Sequence, residues 1–343
     1  MAEPRDPIAD LKRIAFLLEV ASEPGYRVRA FRSAATTLAA LPADELQQRA
    51  ASGTLQALSG IGEVTERTIL ESLAGTEPVY LRRLEATGPL PVEAGTAVIL
   101  DAVRGDCHVH SDWSDGGSPI REMAEAAIEL GRDYMVLTDH SPRLTVANGL
   151  SPDRLREQLD VVAALNAELA PFRILTGIEC DILSDGSLDQ EPELLARLDV
   201  VVASVHSELR MEARAMTRRM VAALANPHLD VLGHMTGRMS TGKRKRPEST
   251  FDAEIVFAAA LRFDKAIEIN ARPERQDPPK RLLRLAVEAG CRFTIDTDAH
   301  APGQLAWLRN GAERAFRCGV TPAMVLNALP AQDLLAWAAS HQA

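Results

Sequence analysis

The sequence predicts an α/β fold in which parallel strands close, or nearly close, into a barrel, preceded by a small all-helical region. From about residue 104 onward, short β-rich runs alternate with longer helical stretches, and such alternation produces βα units around a parallel sheet. Seven units fit within roughly 200 residues, which favours a barrel over an open sheet. The β-rich runs are 106–110, 134–138, 173–178, 199–205, 230–233, 266–270 and 292–297.

The spacing of apolar residues over 1–90 predicts a separate helical domain. Apolar residues such as Ile14, Leu17 and Leu18 recur at helical spacing, and a tight turn at 58–62 interrupts the pattern. The Gly- and Pro-containing stretch that follows indicates a linker. We place this linker at 91–103 and the barrel domain at 104–343.

Composition excludes several classes of protein. The chain has 343 residues and is 46% hydrophobic, enough for a core, yet no run approaches the roughly 18–20 apolar residues of a membrane span. The N-terminus has no signal-peptide pattern. The four cysteines follow no paired spacing, which argues against a zinc ribbon or disulfides and predicts a cytoplasmic protein. The net charge of −10 argues against indiscriminate nucleic-acid binding but permits a local basic surface.

Potential metal ligands fall at the ends of the predicted strands. His108 and His110 stand two residues apart on one run, so their side chains point to the same side. In a parallel barrel the carboxyl ends of all strands open onto one face, where active sites lie. Six of the eight histidines stand at such ends with three carboxylates, whereas His228 and His341 read as structural. The nine predicted ligands are His108, His110, Asp115, His140, Glu179, His206, His234, Asp298 and His300.

The types of ligand predict the chemistry. Imidazole and carboxylate together suit Zn, Mn or Fe, and the absence of thiolates argues against a structural zinc site. Nine ligands can serve two or three divalent ions if one carboxylate bridges. Closely spaced ions clamp a phosphate and lower the pKa of a bound water. The pattern therefore predicts a phosphoester hydrolase that needs no side-chain nucleophile.

The motifs HVHSDWSDG, LTDH, GIE, ASVH, LGH and TDAH, in this order between residues 104 and 320, resemble the polymerase and histidinol phosphatase (PHP) family. The resemblance implies a distorted seven-stranded βα barrel and a trinuclear site in which Glu179 bridges two ions. Glu179, Asp298 and His300 are the residues we expect to be catalytic. The implied ligand sets are His108, His110, Glu179 and Asp298 for one ion, Glu179, His206 and His234 for the second, and Asp115, His140 and His300 for the third.

Within that family, the segments NPHLDVLGHMTGR and AIEINARPERQDPP are similar to the PHP domain of bacterial family X DNA polymerases. The N-terminal region resembles the small DNA-binding domain that begins those polymerases. Gly60-Ile61-Gly62 then matches its helix-hairpin-helix turn, whose backbone N–H groups can bind phosphate. The polymerase palm is missing, so DNA synthesis is not expected. Val64 and Thr68 replace the lysines of lyase-competent members, so Schiff-base lyase activity is not expected either.

Basic residues are distributed unevenly. Residues 1–100 contain 10 Lys/Arg and 13 Asp/Glu, a net of −3, which is unusual for a DNA-binding domain. Residues 205–246 contain 9 Lys/Arg and 3 Asp/Glu, a net of +6, and include a basic run after the fifth strand on the expected metal face. The residues predicted to contact phosphate or DNA are Gly60, Gly62, Arg238, Lys243, Arg244, Lys245, Arg246 and Arg272.

These observations predict a metal-dependent phosphoesterase that acts at DNA ends, as a 3′–5′ exonuclease or in 3′ end processing during DNA repair. One alternative is a small-molecule phosphomonoesterase similar to histidinol phosphatase, which the acidic N-terminal region favours. A second alternative is a non-catalytic DNA-binding module, against which the intact ligand set argues. The hairpin domain and the basic run favour DNA as the partner, with no membrane.

Overall fold

The computed structural model describes residues 5–88, 91–241 and 245–342. It divides into two compact units, Met1–Pro91 and Val92–Ala343. The first unit is all-helical, as predicted. Its helices are α1 (Pro7–Val20), α2 (Gly25–Ala39), α3 (Ala43–Ser52), α4 (Glu63–Leu73) and α5 (Val79–Ala86), with a short 3-10 turn at Leu55–Ala57.

The core of the N-terminal unit follows from the spacing of its apolar residues. Ile14 and Leu18 of α1 and Phe31 and Leu38 of α2 lie on the helix faces that meet, and all four are buried. The side chain of Asp6 accepts a hydrogen bond from the Ile8 amide at 2.8 Å and so caps the start of α1. Local capping and helical periodicity therefore account for this unit.

The second unit alternates strands and helices. Its strands are β1 (Gly105–Val109), β2 (Tyr134–Leu137), β3 (Arg173–Asp181), β4 (Val200–Ser204), β5 (Val231–Leu232), β6 (Ala266–Asn270) and β7 (Arg292–Asp296). Its helices are α6 (Ala94–Ala102), α7 (Ile120–Glu129), α8 (Pro152–Leu169), α9 (Pro192–Leu195), α10 (Ala213–Leu224), α11 (Ala253–Arg262), α12 (Lys280–Ala289), α13 (Leu308–Arg317) and α14 (Ala331–Ala339).

The seven strands pair in sequence order, and each neighbouring pair is parallel. A single parallel bridge between Val109 and Ala299 brings the chain after β7 beside β1, and the His110 amide donates to the Ala299 carbonyl at 2.8 Å. The sheet is therefore a nearly closed barrel, which confirms the predicted fold class. All seven predicted strands form, although β5 is only two residues long.

The end of the barrel opposite the strand carboxyl ends is closed by apolar packing. Val200 and Val231 start their strands and share a buried cluster with Leu334 and Trp337 of α14. Apolar side chains fill this end of the barrel, so the potential ligands lie at the end where the strands' carboxyl termini are. The barrel thus presents one open face on which a site can be built.

The linker predicted over 91–103 is wrong, because most of this segment forms α6. Ile99 is buried, and a Cβ on Gly95 would lie 2.0 Å from the Phe316 ring of α13, so α6 packs tightly against the barrel unit. Glu93 also pairs with Arg317 of α13 at 3.3 Å. The apolar residues that follow Pro91 have enough helical character to add a helix to the barrel unit.

Two further predictions concern the whole chain. All four cysteines are buried free thiols, as their spacing predicts. Across the described residues, no helix combines the length and the apolar character that a membrane crossing requires.

Candidate metal centre

The nine predicted ligands converge at the carboxyl ends of the strands. His108 lies within β1 and His110 directly follows it, while Glu179 lies near the end of β3. The others stand in the short segments that follow β1, β2, β4, β5 and β7. Parallel pairing therefore places on one face side chains that are up to 192 residues apart in sequence, His108 and His300 being the extremes.

Glu179 lies at the centre of the cluster. Its Oε1 is 2.8 Å from His234 Nε2 and 3.2 Å from His206 Nε2. Its Oε2 is 2.9 Å from His140 Nδ1 and 3.3 Å from His108 Nε2. The two oxygens of one buried carboxylate thus face different pairs of imidazoles, which is the arrangement required of a bridging ligand.

A second group of ligands surrounds Asp115, which is the most exposed of the nine. Asp115 Oδ1 lies 3.3 Å from His300 Nε2 and 3.5 Å from His140 Nε2. His140 therefore presents one ring nitrogen to Glu179 and the other to Asp115. His110 belongs to the same group of four potential ligands, whose donor atoms all lie within 4.8 Å of one another.

Asp298 completes the cluster on the β7 side. Its Oδ1 lies 3.5 Å from His110 Nε2 and 3.6 Å from His300 Nδ1. The residue adopts a φ of 54°, in the left-handed region that residues other than glycine rarely occupy. This backbone conformation is held where the side chain faces the histidines, so it belongs to the construction of the site.

The donor atoms fit divalent metal ions. Ring nitrogens of His108, His110, His206 and His234 and both oxygens of Glu179 are buried with no hydrogen-bond partner, although buried polar groups normally have one. Ligands about 2.1 Å from a tetrahedral ion stand about 3.4 Å apart. The nitrogen–oxygen separations around Glu179, from 2.8 to 3.6 Å, lie close to that spacing. An imidazole and carboxylate set of this kind suits several ions of the Zn, Mn or Fe type.

Electrostatics favour the metal-binding protonation state at two of the ligands, His110 and Glu179. Burial lowers the pKa of His110 well below its usual value, and the neighbouring His300 and His140 lower it further, so the ring stays neutral. Burial alone would raise the pKa of Glu179, but His108 and the other surrounding imidazoles outweigh burial and lower it well below its usual value. A neutral imidazole and an ionised carboxylate are the ligand forms that metals require. Burial would lower the pKa values of His108 and His206, but Glu179 outweighs burial and raises both, so these two rings lose a proton when ions bind.

The remaining histidines, His228 and His341, lie outside the cluster, as predicted. His341 Nδ1 lies 2.7 Å from Asp230 Oδ1, and its ring meets Trp337 edge-on. These contacts belong to the α14 end of the barrel.

Glu268 was not predicted from the sequence, yet it supports two of the ligands. Its Oε1 lies 2.6 Å from His108 Nδ1, and its Oε2 accepts the His234 amide at 2.5 Å. A carboxylate on the far ring nitrogen fixes the tautomer of His108 and leaves Nε2 free to bind an ion. The available signal was a single acidic residue inside β6 with an isoleucine on each side.

Replacing Glu268 with Gln is expected to lower metal affinity about 10–100-fold, because the neutral amide holds His108 less firmly and makes its ring less basic. Titration of the chelator-treated protein with Zn²⁺ or Mn²⁺ measures this. Glu254→Gln, a change of an exposed carboxylate on α11, serves as the control. Equal affinities in the Glu268 variant and the control would exclude the supporting role.

Two arginines from the loop after β6 enter the cluster. Arg275, which was not predicted, donates from Nε to Asp298 Oδ2 at 2.8 Å, and its Nη1 is buried with no hydrogen-bond partner. Arg272, predicted to contact phosphate, lies with Nη1 3.5 Å from Asp298 Oδ1 and 3.4 Å from His300 Nδ1. Burial alone would raise the pKa of Asp298, but Arg275 and Arg272 outweigh it and lower that pKa well below its usual value.

Arg238, predicted to contact phosphate, also holds a neighbouring loop. Its Nε donates to the Arg275 carbonyl at 3.0 Å and its Nη2 to the Gln276 carbonyl at 2.7 Å. A further nitrogen, Nη1, lies 3.4 Å from Glu248. The guanidinium therefore braces the loop that carries Arg275, and its contact with phosphate stays a prediction.

The predicted basic run is only partly described. Lys243 and Arg244 lie outside the described residues. The backbone of Arg246 forms an antiparallel bridge with Met239, and its side-chain Nε donates to the Gly237 carbonyl at 2.6 Å. Lys245 is exposed, and its side chain forms no such hydrogen bond.

The hairpin glycines lie within the N-terminal unit, where Gly60 turns the chain with a φ of 82°. Gly62 precedes α4, and its N–H donates to Thr65 Oγ1 at 2.9 Å, while Glu63 begins the helix. The Gly62 amide is therefore already bonded within the protein, next to an acidic side chain. This corrects the prediction that Gly62 offers a free N–H to phosphate.

Comparison with known proteins adds to this geometry. Residues 106–272 match the model of the PHP domain, and residues 4–77 match that of a helix-hairpin-helix domain. The chain is 42% identical over 238 residues to the DNA polymerase/3′-5′ exonuclease PolX of Bacillus subtilis (strain 168), an alignment that covers 69% of this chain and 41% of that protein. The chain therefore spans less than half the length of that relative.

Two shorter proteins also match. A protein named probable phosphatase from Thermoanaerobacter sp. (strain X514) is 27% identical over 233 residues, covering 65% of this chain and 89% of that protein. A crystal structure of histidinol phosphate phosphatase from Lactococcus lactis, complexed with zinc, L-histidinol and phosphate, superimposes with a TM-score of 0.48 and 21% identity. That match covers 64% of this chain and 95% of the other.

Proposed function

We propose that this chain, a metal-dependent phosphoester hydrolase that carries a PHP domain behind a helix-hairpin-helix domain, acts on the 3′ ends of DNA. The reaction is 3′–5′ exonuclease cleavage or 3′ end processing. The observation that carries the proposal is the pairing of these two domains, in this order, with 42% identity to a 3′-5′ exonuclease over most of the chain. The palm that would supply DNA synthesis is absent between them.

We assign two to three divalent ions to the nine ligands. His108, His110, Glu179 and Asp298 would hold the first ion, Glu179, His206 and His234 the second, and Asp115, His140 and His300 the third. Glu179 would then be shared by the first two, which the two-sided arrangement of its oxygens supports. Such ions would polarise a phosphoryl oxygen and lower the pKa of a bound water.

The chain's own residues supply orientation. Arg272 is half-buried beside Asp298 and His300, where its guanidinium binds an oxygen of the scissile phosphate. Arg275 keeps the Asp298 carboxylate ionised and fixes the direction of its Oδ2. The Asp298 carboxylate is thereby held in place before substrate arrives, beside Glu179 and His300, the other two residues we propose to be catalytic.

A second candidate is a phosphatase acting on a small phosphomonoester. The relative named probable phosphatase aligns over nearly its whole length, and the hairpin amide of Gly62 is already bonded within the protein. These observations favour a small substrate that contacts the metal centre and makes no contact with the hairpin domain. Both candidates share the nine-residue centre, so the size of the substrate distinguishes them.

A side-by-side assay with Mn²⁺ tests the proposal. An oligonucleotide labelled at its 5′ end is expected to shorten stepwise from the 3′ end, with a kcat/KM about a hundredfold or more above that for histidinol phosphate. Protein carrying Glu179→Gln, purified identically, controls for contaminating nuclease. Rapid hydrolysis of histidinol phosphate beside an intact oligonucleotide would replace DNA with a small phosphomonoester as the substrate.

A further inference from the structure

A row of exposed arginines begins next to the metal centre and continues along one helix. Arg210 lies four residues after the ligand His206, so at most about 14 Å of chain separates them. Arg214 and Arg218 follow on α10. Because they stand four residues apart, they share one face of α10, about 6 Å apart along its axis.

None of these three arginines has a carboxylate partner among the described residues. The acidic residues nearest to them in sequence are Glu208 and Glu212, and neither forms an ion pair with these arginines. Glu212 uses its two oxygens to cap α10, accepting the amides of Arg214 at 3.0 Å and Ala215 at 3.1 Å. Other exposed arginines of the barrel unit do form ion pairs. Examples are Arg104 with Asp133, Arg121 with Glu168, Arg156 with Glu191 and Arg292 with Asp264.

Arg214 and Arg218 also line one side of a groove between α10 and α11 with a volume of about 670 Å³. Its floor is aliphatic, and Ile255 is 51% exposed there. The carboxylates of Glu212 and Asp252 line it too, but each caps a helix N-terminus, whose partial positive charge offsets theirs. The floor residues are Ala213, Val221, Ala222, Ala225 and Ile255.

We propose that this surface, formed by Arg210, Arg214, Arg218 and the α10–α11 groove, binds the single strand that extends upstream from the 3′ end held at the metal centre. This inference rests on the proposed action on DNA. A single strand is a regular polyanion, and three unpaired cations in a row match it in charge. The chain leaves the carboxyl end of β4, where the metal centre lies, and continues into α10. Arg210, Arg214 and Arg218 therefore lie at increasing distance along the chain from the metal centre.

The chemistry of the groove determines the kind of recognition. Cations bind the phosphates, and the aliphatic floor covers part of the bases without offering hydrogen bonds to their edges. No aromatic side chain lines the groove, so it lacks the strongest stacking contacts of single-strand binders. Binding is therefore expected to be independent of sequence, dependent on salt, and stronger for strands long enough to reach Arg218.

Replacing both helix arginines, Arg214→Gln with Arg218→Gln, tests the surface. Anisotropy of a labelled (dT)12 with phosphorothioate linkages at its 3′ end is expected to show about tenfold weaker binding. The slope of log Kd against log salt should fall by about 1.4, since each contact contributes about 0.7. Hydrolysis of bis(p-nitrophenyl) phosphate should be unchanged, because that substrate reaches only the metal centre.

The matched control is Arg197→Gln with Arg262→Gln. It removes the same charge from exposed arginines that precede β4 and β6, at the opposite end of the barrel. The control should bind (dT)12 as the wild type does. Thermal melting followed by circular dichroism shows whether both double variants remain folded.

Cleavage rates provide a second, independent measurement. For the wild type, kcat/KM is expected to rise from (dT)2 to (dT)8, whereas the Arg214/Arg218 variant should lose this advantage of length. Unchanged affinity and unchanged salt slope in that variant would overturn the proposal, as would a wild type that does not bind (dT)12. Binding through these arginines without cleavage of any oligonucleotide would instead refute the proposed nuclease function and leave the surface intact.

Discussion

Glu179→Gln is expected to lower kcat/KM for phosphoester hydrolysis by about a thousandfold or more. Loss of a residue that merely supports a ligand typically costs about 10–100-fold, and Glu179 stands at the centre, not the edge, of the cluster. Four imidazoles lie within 3.3 Å of its two oxygens. An amide keeps one weak oxygen ligand and places an NH₂ group where the second oxygen was, so it cannot bridge two ions.

The measurement combines turnover with elemental analysis of the purified proteins. The variant should contain fewer divalent ions per chain than the wild type, and added Mn²⁺ should not restore its rate. Glu193→Gln, which neutralises an exposed carboxylate on α9, serves as the control and should behave as the wild type. A Glu179→Gln protein with near-normal turnover would rule out the bridging role.

The barrel and its ligands were predictable because both depend on short-range patterns. Apolar runs of strand length alternate with helical stretches, and parallel pairing then brings every strand end to one face. Because His234 directly follows its strand, the pairing of the strands alone places it on the same face as His108, however far apart the two are in sequence. Even β5, which is only two residues long, pairs with both of its neighbours and so brings His234 to the same face.

The supporting residues were not predictable, since their roles depend on distances between segments remote in sequence. From the sequence, Arg238 was predicted to contact phosphate, and Arg275 was given no role. In the structure, Arg238 donates to the backbone of the loop that carries Arg275, and Arg275 donates to Asp298. The same limitation applies to Gly62, whose N–H is bonded to the Thr65 hydroxyl, and to α6, whose neighbour α13 lies more than 200 residues later.

Arg275 shows how the centre combines charges. Its guanidinium donates to Asp298, and burial together with the charge of Arg275 lowers the pKa of His234 to about 4. Arg275 thereby favours the ligand form of two neighbours at once, an ionised Asp298 and a neutral His234. The loop backbone that holds it is fixed by Arg238, and Asp277 Oδ2 in the same loop accepts a further hydrogen bond from the Thr236 hydroxyl at 2.6 Å.

Replacing Arg275 with Gln is therefore expected to lower the free energy of unfolding by up to about 3–5 kcal/mol, because the buried Asp298 carboxylate loses its shortest charged contact and keeps only longer contacts, including those with Arg272 and Asn270. The loss should be largest in chelator-treated protein, since bound ions offset part of the same charge. Urea unfolding with and without Mn²⁺ measures both values. Arg275→Lys should recover part of the stability, because it restores the charge without the planar fork that directs Nε to Oδ2.

The control for this prediction is Arg281→Gln on the neighbouring helix α12. Arg281 pairs with Glu248, but its side chain is 64% exposed, and exposed pairs contribute about 0–1 kcal/mol. A loss in Arg275→Gln no greater than in this control would show that Asp298 does not depend on Arg275. If the loss is large and Mn²⁺ reduces it, the arginine and the ions stabilise the same carboxylate, and Arg275 is part of the metal centre.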